Sequence, residues 1–247
     1  MSKIYDDFQT AVEDIPDGAT VMMHSFTGSA GITQNLIEAL RDHGTKNLTV
    51  ISCSAGPGGG IQRKPGIRPF VTPNLLIISG QVRKFISSWT IATISSTSIF
   101  KIADEVCVAE EAIRRGELEW EPVPQGILTE RIHAGAAGLG GFYSPVGIGT
   151  LVEQGKEKKV INGREYLLEK PLRADYAFVR AYKADKIGNL IYRGTARSFN
   201  PLIAMAADVV IAEVDDIVEL GEIDPEHVIT PGVFVDRIVK IPKGGWK

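Results

Sequence analysis

Residues 124–150 read PQGILTERIHAGAAGLGGFYSPVGIGT, and this stretch decides how the rest of the chain is interpreted. It opens with a proline and a short segment in which Ile127, Leu128 and Ile132 share one helical face. Six glycines follow between Gly135 and Gly149, mixed with apolar side chains. Glycine at this density suits backbone that needs positive φ angles or lies close to another group. We therefore expect a short helix and then an ordered, packed loop that forms one wall of a ligand site.

The sequence on both sides of this stretch alternates between apolar strands and helical segments. Residues 19–24 (ATVMMH) and 47–53 (NLTVISC) have the composition of buried strands, each followed by a loop of small residues. Further strands are predicted at 74–79, 84–89, 118–123, 175–182 and 208–214, a hairpin at 156–169 around Asn162-Gly163, and helices at 3–13, 33–40, 101–115 and 200–206. Strands that alternate with helices predict an α/β fold, with a mostly parallel sheet covered by helices on both faces in three layers. We expect a single domain over residues 1–247, because no linker rich in proline, glycine and serine divides it.

Composition and charge argue against several function classes. The net charge is −3, so the chain has no excess of cations with which to bind nucleic acid. No apolar run approaches the ~20 residues that a membrane span needs, and the charged N-terminus lacks the apolar core of a signal peptide. Two cysteines are too few for a disulfide scaffold, and no histidine stands at metal-ligand spacing from another histidine or a cysteine. We expect a cytoplasmic protein without a metal site, a nucleic-acid partner or a membrane partner.

Polar side chains stand at the carboxyl ends of two predicted strands. Cys53 and Ser54 end the strand at 47–53, and Gln125 follows the strand at 118–123. Open α/β sheets bind ligands at this edge, and Ser54 and Gln125 can donate hydrogen bonds to a carbonyl oxygen. A helix-start residue that caps backbone groups is an equally good interpretation of Gln125 from local sequence.

No nucleophile can be chosen from the sequence. There is no serine elbow, phosphate-binding loop or zinc-protease motif. The carboxylates are scattered, and no apolar pocket visible in the sequence distinguishes one of them: Glu153, Glu169, Glu213 and Glu222. If the chemistry needs a carboxylate nucleophile, this chain does not nominate one.

Residues 124–150 resemble the A (alpha) subunit of the family I CoA-transferases of the 3-oxoacid and 3-oxoadipate type. The segments INGREYLLEKPLRADYAFVRAYKADKIGNLIYRGTARSFNP (161–201) and ELGEIDPEHVITPGVFVDRIV (219–239) are similar to the same subunit. The resemblance covers nearly the whole chain and is nearest to the 3-oxoadipate branch. It implies the CoA-transferase fold, coenzyme A as a substrate and no permanently bound cofactor. In the family the catalytic glutamate lies in a Glu-Asn-Gly type motif of the B subunit, so the resemblance also implies a glutamyl-CoA thioester on a partner B subunit, in an α2β2 hetero-oligomer. This chain has no such motif, which agrees with the absence of a nucleophile candidate.

The resemblance also assigns site residues. Gln125 matches the family glutamine that lines the site near the reacting carbonyl. The family's Ser-Asn-Asn-Ala-Gly becomes SCSAG at residues 52–56, so Cys53 and Ser54 are expected to form the floor of the acyl site. The family's Gly-Gly-Phe loop becomes HSFTGSAGIT at residues 24–33. Three residues of this loop are expected to approach the substrate through their backbone: Gly28, Ser29 and Gly31.

The leading hypothesis is therefore the A subunit of a heteromeric CoA-transferase that moves CoA from an acyl-CoA, such as succinyl-CoA, to a small carboxylic or 3-oxo acid. The altered loop at 24–33, the residues at 53 and 54, and extra stretches at 57–74 and 90–108 leave two alternatives. One is an acyl-CoA hydrolase or C–C cleaving relative on the same scaffold. The other is a non-catalytic ligand-binding domain.

Overall fold

A computed structural model of the chain describes residues 2–26, 31–56, 71–90 and 108–242. The strands, in chain order, are β1 (Ile4–Tyr5), β2 (Thr20–Met23), β3 (Leu48–Ile51), β4 (Val82–Ser87), β5 (Glu119–Pro122), β6 (Phe142–Ser144), β7 (Lys158–Ile161), β8 (Arg164–Glu169), β9 (Ala174–Asp185), β10 (Leu190–Ile191), β11 (Ala207–Val218) and β12 (Arg237–Lys240). The helices are α1 (Phe8–Val12), α2 (Gln34–His43), α3 (Asn74–Ile78), α4 (Val108–Arg114), α5 (Gln125–Ala136) and α6 (Asn200–Ile203).

Within the described part of the chain, one nine-stranded sheet carries the fold. Its order is β1-β12-β11-β9-β2-β3-β4-β5, with β10 added antiparallel to β9. Every neighbouring pair along that order is parallel. The strands β6, β8 and β7 form a separate antiparallel sheet. The carboxyl ends of the central strands therefore meet at one edge of the large sheet, which is where open parallel sheets bind ligands.

Apolar side chains on the two faces of the sheet form two separate cores. One core joins the sheet to α1, α2, α3 and α4, and the other joins it to α5 and α6. Burial on both faces explains why the central strands are continuous apolar runs instead of alternating patterns. The predicted α/β fold, with a mostly parallel sheet between two helical layers, is confirmed. Among the described helices, none is long and apolar enough to cross a membrane.

Two local predictions were wrong. Residues 74–79 were expected to be a strand, but Asn74–Ile78 is the helix α3, which packs in the same core as α2 and α4. A run of four apolar residues fits a buried strand and a buried helix equally well, so periodicity could not separate them. The predicted helix at 3–13 is shorter, because Ile4–Tyr5 pairs with β12 and Asp7 caps a helix that begins at Phe8.

The predicted hairpin is present. β7 and β8 are antiparallel and are joined by Asn162 and Gly163, whose φ angles are 51° and 76°. Two successive positive φ angles suit a tight hairpin turn, for which Asn-Gly is the favoured pair.

The glycine-rich stretch divides between a helix and the small sheet. Ile127, Leu128 and Ile132 are all buried on one side of α5, as predicted. Gly135 lets this helix pass the chain at Leu172, because an added Cβ would lie 2.0 Å from the Leu172 carbonyl oxygen. The loop that follows begins at the opposite end of α5 from Gln125, roughly 18 Å away along the helix axis, and leads into β6. Its expected role as a wall of the ligand site stays a prediction.

A buried carboxylate fastens α2 to the middle of the sheet. Glu213 on β11 is fully buried and accepts hydrogen bonds from the backbone N–H groups of Asn35 (3.0 Å) and Leu36 (3.1 Å) in the first turn of α2. The Asn35 side chain adds a third bond of 3.2 Å, and the Arg180 Nε lies 3.6 Å from Glu213 Oε1. The helix N-terminus and the guanidinium both favour the charged form. Burial is the larger effect, and it raises the pKa of Glu213 to about 7.

The raised pKa predicts how Glu213 affects stability with pH. An ordinary glutamate pKa is near 4.5, so between about pH 4.5 and pH 7 the folded protein binds more protons at this site than the unfolded protein. The stability contribution of Glu213 should therefore fall as the pH rises through this window, by a few kcal/mol in total, and level off above it.

Glu213→Gln isolates this effect, since it keeps the shape and one acceptor but cannot titrate. We expect the difference in free energy of unfolding, wild type minus Glu213→Gln, to decrease in urea titrations run between about pH 5 and pH 8. A difference that is flat or rises with pH would contradict the raised pKa.

Candidate active site

Three serines connect the ends of β2 and β3. The Ser25 hydroxyl lies 2.7 Å from the Ser52 hydroxyl and donates to the Ser54 carbonyl oxygen at 2.7 Å. It also accepts from the Ser54 N–H at 2.9 Å. Because the single Ser25 proton goes to the Ser54 carbonyl, Ser52 is the donor in the pair of hydroxyls. Ser25 thus holds the backbone after β3 in place, while the Ser54 hydroxyl, 3.4 Å from Ser25 Oγ, is only weakly engaged.

Gln125 meets Cys53 beside this cluster. Gln125 is the first residue of α5, and its Nε2 donates to the Cys53 Sγ at 3.4 Å. Its Oε1 is buried and has no hydrogen-bond partner among the described residues. A thiol is a weak acceptor, so a substrate carbonyl oxygen in this position would be a better partner for the amide N–H. The structure therefore brings Gln125 into contact with Cys53, the residue before Ser54. Their expected roles in binding the substrate stay predictions.

Cys53 is a neutral thiol in this position. The side chain is 2% exposed, and burial raises its pKa to about 11, although the bond from Gln125 acts in the opposite direction. The thiolate is the reactive form of cysteine. At pH 7 the Cys53 thiol is accordingly neutral, which does not suit a nucleophile.

A buried histidine supports the loop that leaves β2. His24 is 1% exposed and stacks on Phe199 with ring centroids 6.0 Å apart, and Phe26 contacts the same ring edge-on at 5.9 Å. Neither ring nitrogen has a hydrogen-bond partner within the described ranges. Burial lowers the pKa of His24 to about 4, so the ring is neutral at pH 7.

Gly31 lies against His24 and is held by Asn200. An added Cβ at Gly31 would lie 2.5 Å from the His24 ring, which explains the glycine. The Asn200 amide donates to the Gly31 carbonyl oxygen at 3.0 Å and accepts from the Arg180 N–H at 2.9 Å. Of the three loop residues expected near the substrate, Gly31 alone can be placed, because Gly28 and Ser29 lie outside the described residues.

The sequence patterns predicted no site role for Ser25, Ser52 or His24. Ser25 and Ser52 each follow an apolar strand. Pairing these two predicted strands in parallel would have placed the two hydroxyls side by side and so identified them. Met22 pairs with Ile51 in the β2–β3 register, so continuing both strands by three residues brings Ser25 beside residues 52–54.

A family model described as Coenzyme A transferase matches residues 5–241. The chain belongs to the coenzyme A transferase family. It is 45% identical over 241 residues to the A subunit of the 3-oxoadipate CoA-transferase of Pseudomonas putida, a match that covers 98% of this chain and 94% of that protein. It is 42% identical over 231 residues to the alpha subunit of the acetate CoA-transferase of Escherichia coli K12, with 94% of each chain covered.

Solved CoA-transferase structures share the fold. An acyl-CoA transferase apoenzyme from Escherichia coli O157:H7 superposes with a TM-score of 0.79 at 24% identity, covering 98% of this chain and 47% of that one. Glutaconate coenzyme A-transferase from Acidaminococcus fermentans gives a TM-score of 0.75 at 20% identity, covering 98% and 77% respectively. This coenzyme A transferase family member thus spans about half the length of the Escherichia coli enzyme.

The neutral state of Cys53 can be tested by alkylation. With a pKa near 11, roughly one Cys53 thiol in a thousand is ionised at pH 8. We expect iodoacetamide to modify Cys53 slowly in the folded protein, with a rate that keeps rising past the ordinary thiol pKa of about 9. Peptide mass spectrometry locates the modification, and protein unfolded in urea provides the control rate. Rapid alkylation of folded protein at neutral pH would contradict this assignment.

Proposed function

We propose that this chain is the A subunit of a heteromeric CoA-transferase, which moves CoA from an acyl-CoA such as succinyl-CoA to a small carboxylic or 3-oxo acid. The observation that carries the proposal is the contact of the Gln125 amide with Cys53, next to Ser54 in the chain, at the carboxyl edge of the sheet in a member of this family. Hydrogen-bond donors that have no accessible charged nucleophile beside them suit the stabilisation of an oxyanion. The group that attacks the carbonyl would then come from another chain.

The reaction runs through covalent intermediates on a partner glutamate. Its carboxylate attacks the acyl-CoA carbonyl, the C–S bond breaks, and an acyl-glutamyl anhydride and CoA thiolate form. The thiolate attacks the glutamyl carbonyl, which gives a glutamyl-CoA thioester and releases the first acid. The acceptor carboxylate then attacks the thioester, and the freed CoA thiolate attacks the acceptor carbonyl. The products are the new acyl-CoA and the original glutamate.

Each of these steps places negative charge on a carbonyl oxygen. In the proposal, Gln125 donates its Nε2–H to that oxygen and gives up the weak bond to Cys53. Ser54 adds a hydroxyl donor, and Ser25 keeps the backbone at Ser54 from moving. Because the donors are already in place, little reorganisation is needed when the charge forms.

The nucleophile is assigned to a second chain for two reasons. Glu213 is fully buried and committed to α2 and Arg180. The chain also spans only 47% of the Escherichia coli acyl-CoA transferase chain, so a comparable length of that enzyme has no counterpart here. We propose that a B subunit supplies this half, in an α2β2 assembly, and that the complex is cytoplasmic. Residues 1–247 would act in it as one domain, with coenzyme A as substrate and without a bound cofactor.

Mapping the thioester tests the split site. We expect this chain to co-purify with a partner that carries a Glu-Asn-Gly type motif. Intact-mass spectrometry after addition of acyl-CoA without an acceptor acid should show one added CoA on the partner and none on this chain. An added CoA on this chain would overturn the proposal. Release of free CoA that does not depend on an acceptor would indicate a hydrolase instead.

Gln125→Ala tests the role of the amide. Loss of one oxyanion donor lowers kcat by a factor on the order of a hundred in well-studied enzymes, and we expect a similar loss here. Because Gln125 is only half-buried and its Oε1 is unpaired, thermal stability should change little. Gln9→Ala, at an exposed glutamine of α1, is the matched control. Unchanged turnover in Gln125→Ala would remove Gln125 from the mechanism.

A further inference from the structure

Three side chains form one row across the sheet at the candidate site. The registers of β2, β3 and β4 align three apolar side chains on the face covered by α5 and α6: Met22, Ile51 and Ile86. Two residues further along each strand, and so on the same face, come His24, Cys53 and Ser88. The Ser88 N–H donates to the Cys53 carbonyl oxygen at 3.1 Å, so the pairing continues past the end of β3. His24 and Ser88 therefore flank Cys53, each one strand spacing of ~4.8 Å away.

Several buried polar atoms around this row have no hydrogen-bond partner among residues 2–26, 31–56, 71–90 and 108–242. They are both ring nitrogens of His24, the Ser88 hydroxyl, and the Oε1 of Gln125, whose Nε2 contacts Cys53. The Phe26 backbone favours the charged form of the His24 ring, but no hydrogen bond of normal geometry reaches it. Buried polar groups in folded proteins are nearly always paired. Three unpaired groups together, at the edge where Gln125 lies, indicate side chains that pair with a bound molecule.

The row carries no charge at neutral pH. Burial lowers the pKa of His24 to about 4 and raises the pKa of Cys53 to about 11. A neutral imidazole has one N–H donor and one acceptor nitrogen, and a serine hydroxyl both donates and accepts. The row therefore offers hydrogen bonds to a ligand and no ionic attraction, which suits an oxo or hydroxyl oxygen.

His24 also occupies a position where the family loop has no side chain. The first glycine of the family's Gly-Gly-Phe loop corresponds to His24 here. The ring fills the space beside Gly31, where an added Cβ would lie 2.5 Å from it, and it stacks on Phe199. An apolar ring would fill this space without leaving two nitrogens unpaired. Packing alone therefore does not explain a histidine in this position.

We propose that His24 and Ser88 determine which acid the enzyme accepts, by donating hydrogen bonds to an oxo or hydroxyl oxygen on the acyl chain. This inference rests on the proposed function. With the reacting carbonyl oxygen at the Gln125 amide, beside Cys53, the next carbons of the acid lie between the two flanking residues. An oxygen on those carbons pairs with His24 and Ser88, whereas a methylene group leaves both unpaired. A site built to hydrogen-bond a group strongly rejects the analogue that lacks it.

Three acids of equal chain length are the probes: butanoate, 3-oxobutanoate and 3-hydroxybutanoate. We expect the assembled complex to use an oxygen-bearing acid with a kcat/KM at least about a hundredfold above that for butanoate. Ser88→Ala and His24→Phe should each lower this preference about fivefold, through a higher KM for the oxygen-bearing acid and an unchanged KM for butanoate. A preference for either oxygen-bearing acid supports the inference, and equal use of all three acids overturns it.

Ser79→Ala and His133→Phe are the matched controls. Both residues are exposed and lie away from the row, Ser79 directly after α3 and His133 on α5. Neither change should alter the preference, and an equal loss of preference in the controls would overturn the inference. Ser88→Ala removes a hydroxyl that has no partner among the described residues, so its melting temperature should match wild type. It therefore tests the row even if His24→Phe does not fold.

Binding of the free acids separates this inference from the proposed function, because it needs no turnover. Calorimetry should show that the complex binds 3-hydroxybutanoate more tightly than butanoate. If the complex transfers CoA while Ser88→Ala and His24→Phe keep the wild-type preference, the specificity role is wrong and the function stands. If the complex transfers no CoA, yet the two variants lose the tighter binding of 3-hydroxybutanoate, the row stands and the function is wrong.

Discussion

The burial of the Glu213 carboxylate is the interaction on which the central structure depends. A buried charge without partners costs several kcal/mol, so the fold must supply donors on every side. The first turn of α2 provides two backbone N–H groups, and β9 provides Arg180. These contacts fix the start of α2 relative to β9 and β11, and α2 begins shortly after the loop that leaves β2. A single side chain thereby sets where that loop has to end.

The loop is held at its other end by hydroxyl groups. Ser25 is bonded to Ser52 and Ser54, and Gly31 is bonded to Asn200, whose own carbonyl oxygen accepts from the Arg180 backbone. The start of the loop is thus bonded to the residues after β3, and its end is bonded through Asn200 to β9, the strand that carries Arg180. A change at Glu213 should therefore affect the end of the loop at Gly31 first.

Much of this architecture could be predicted from sequence, and the exceptions have physical causes. Apolar runs that ended in small polar residues predicted the parallel sheet, and they placed Gln125 and residues 53 and 54 after strands whose carboxyl ends share one edge of it. The strand predicted at 74–79 became α3, because a short apolar run satisfies either form of burial. Glu213 was noted only as one of several scattered glutamates, although a lone carboxylate inside the apolar run DVVIAEV signals a buried, paired charge. Its partners are more than 30 residues away in sequence at the nearest, so no local pattern could name them.

The environment of Glu213 also gives a physical reason for a nucleophile on another chain. Burial raises the pKa of the Glu213 carboxyl to about 7 even with a helix N-terminus and an arginine nearby. A protonated carboxyl group cannot attack a thioester carbonyl. In the proposed mechanism, a glutamate at the surface of a second chain stays ionised until the substrate and the two chains enclose it. Its carboxylate is then desolvated just before it attacks the acyl carbon. On the proposed mechanism, this chain contributes the fixed donors that receive that charge, and the partner contributes the carboxylate that brings it.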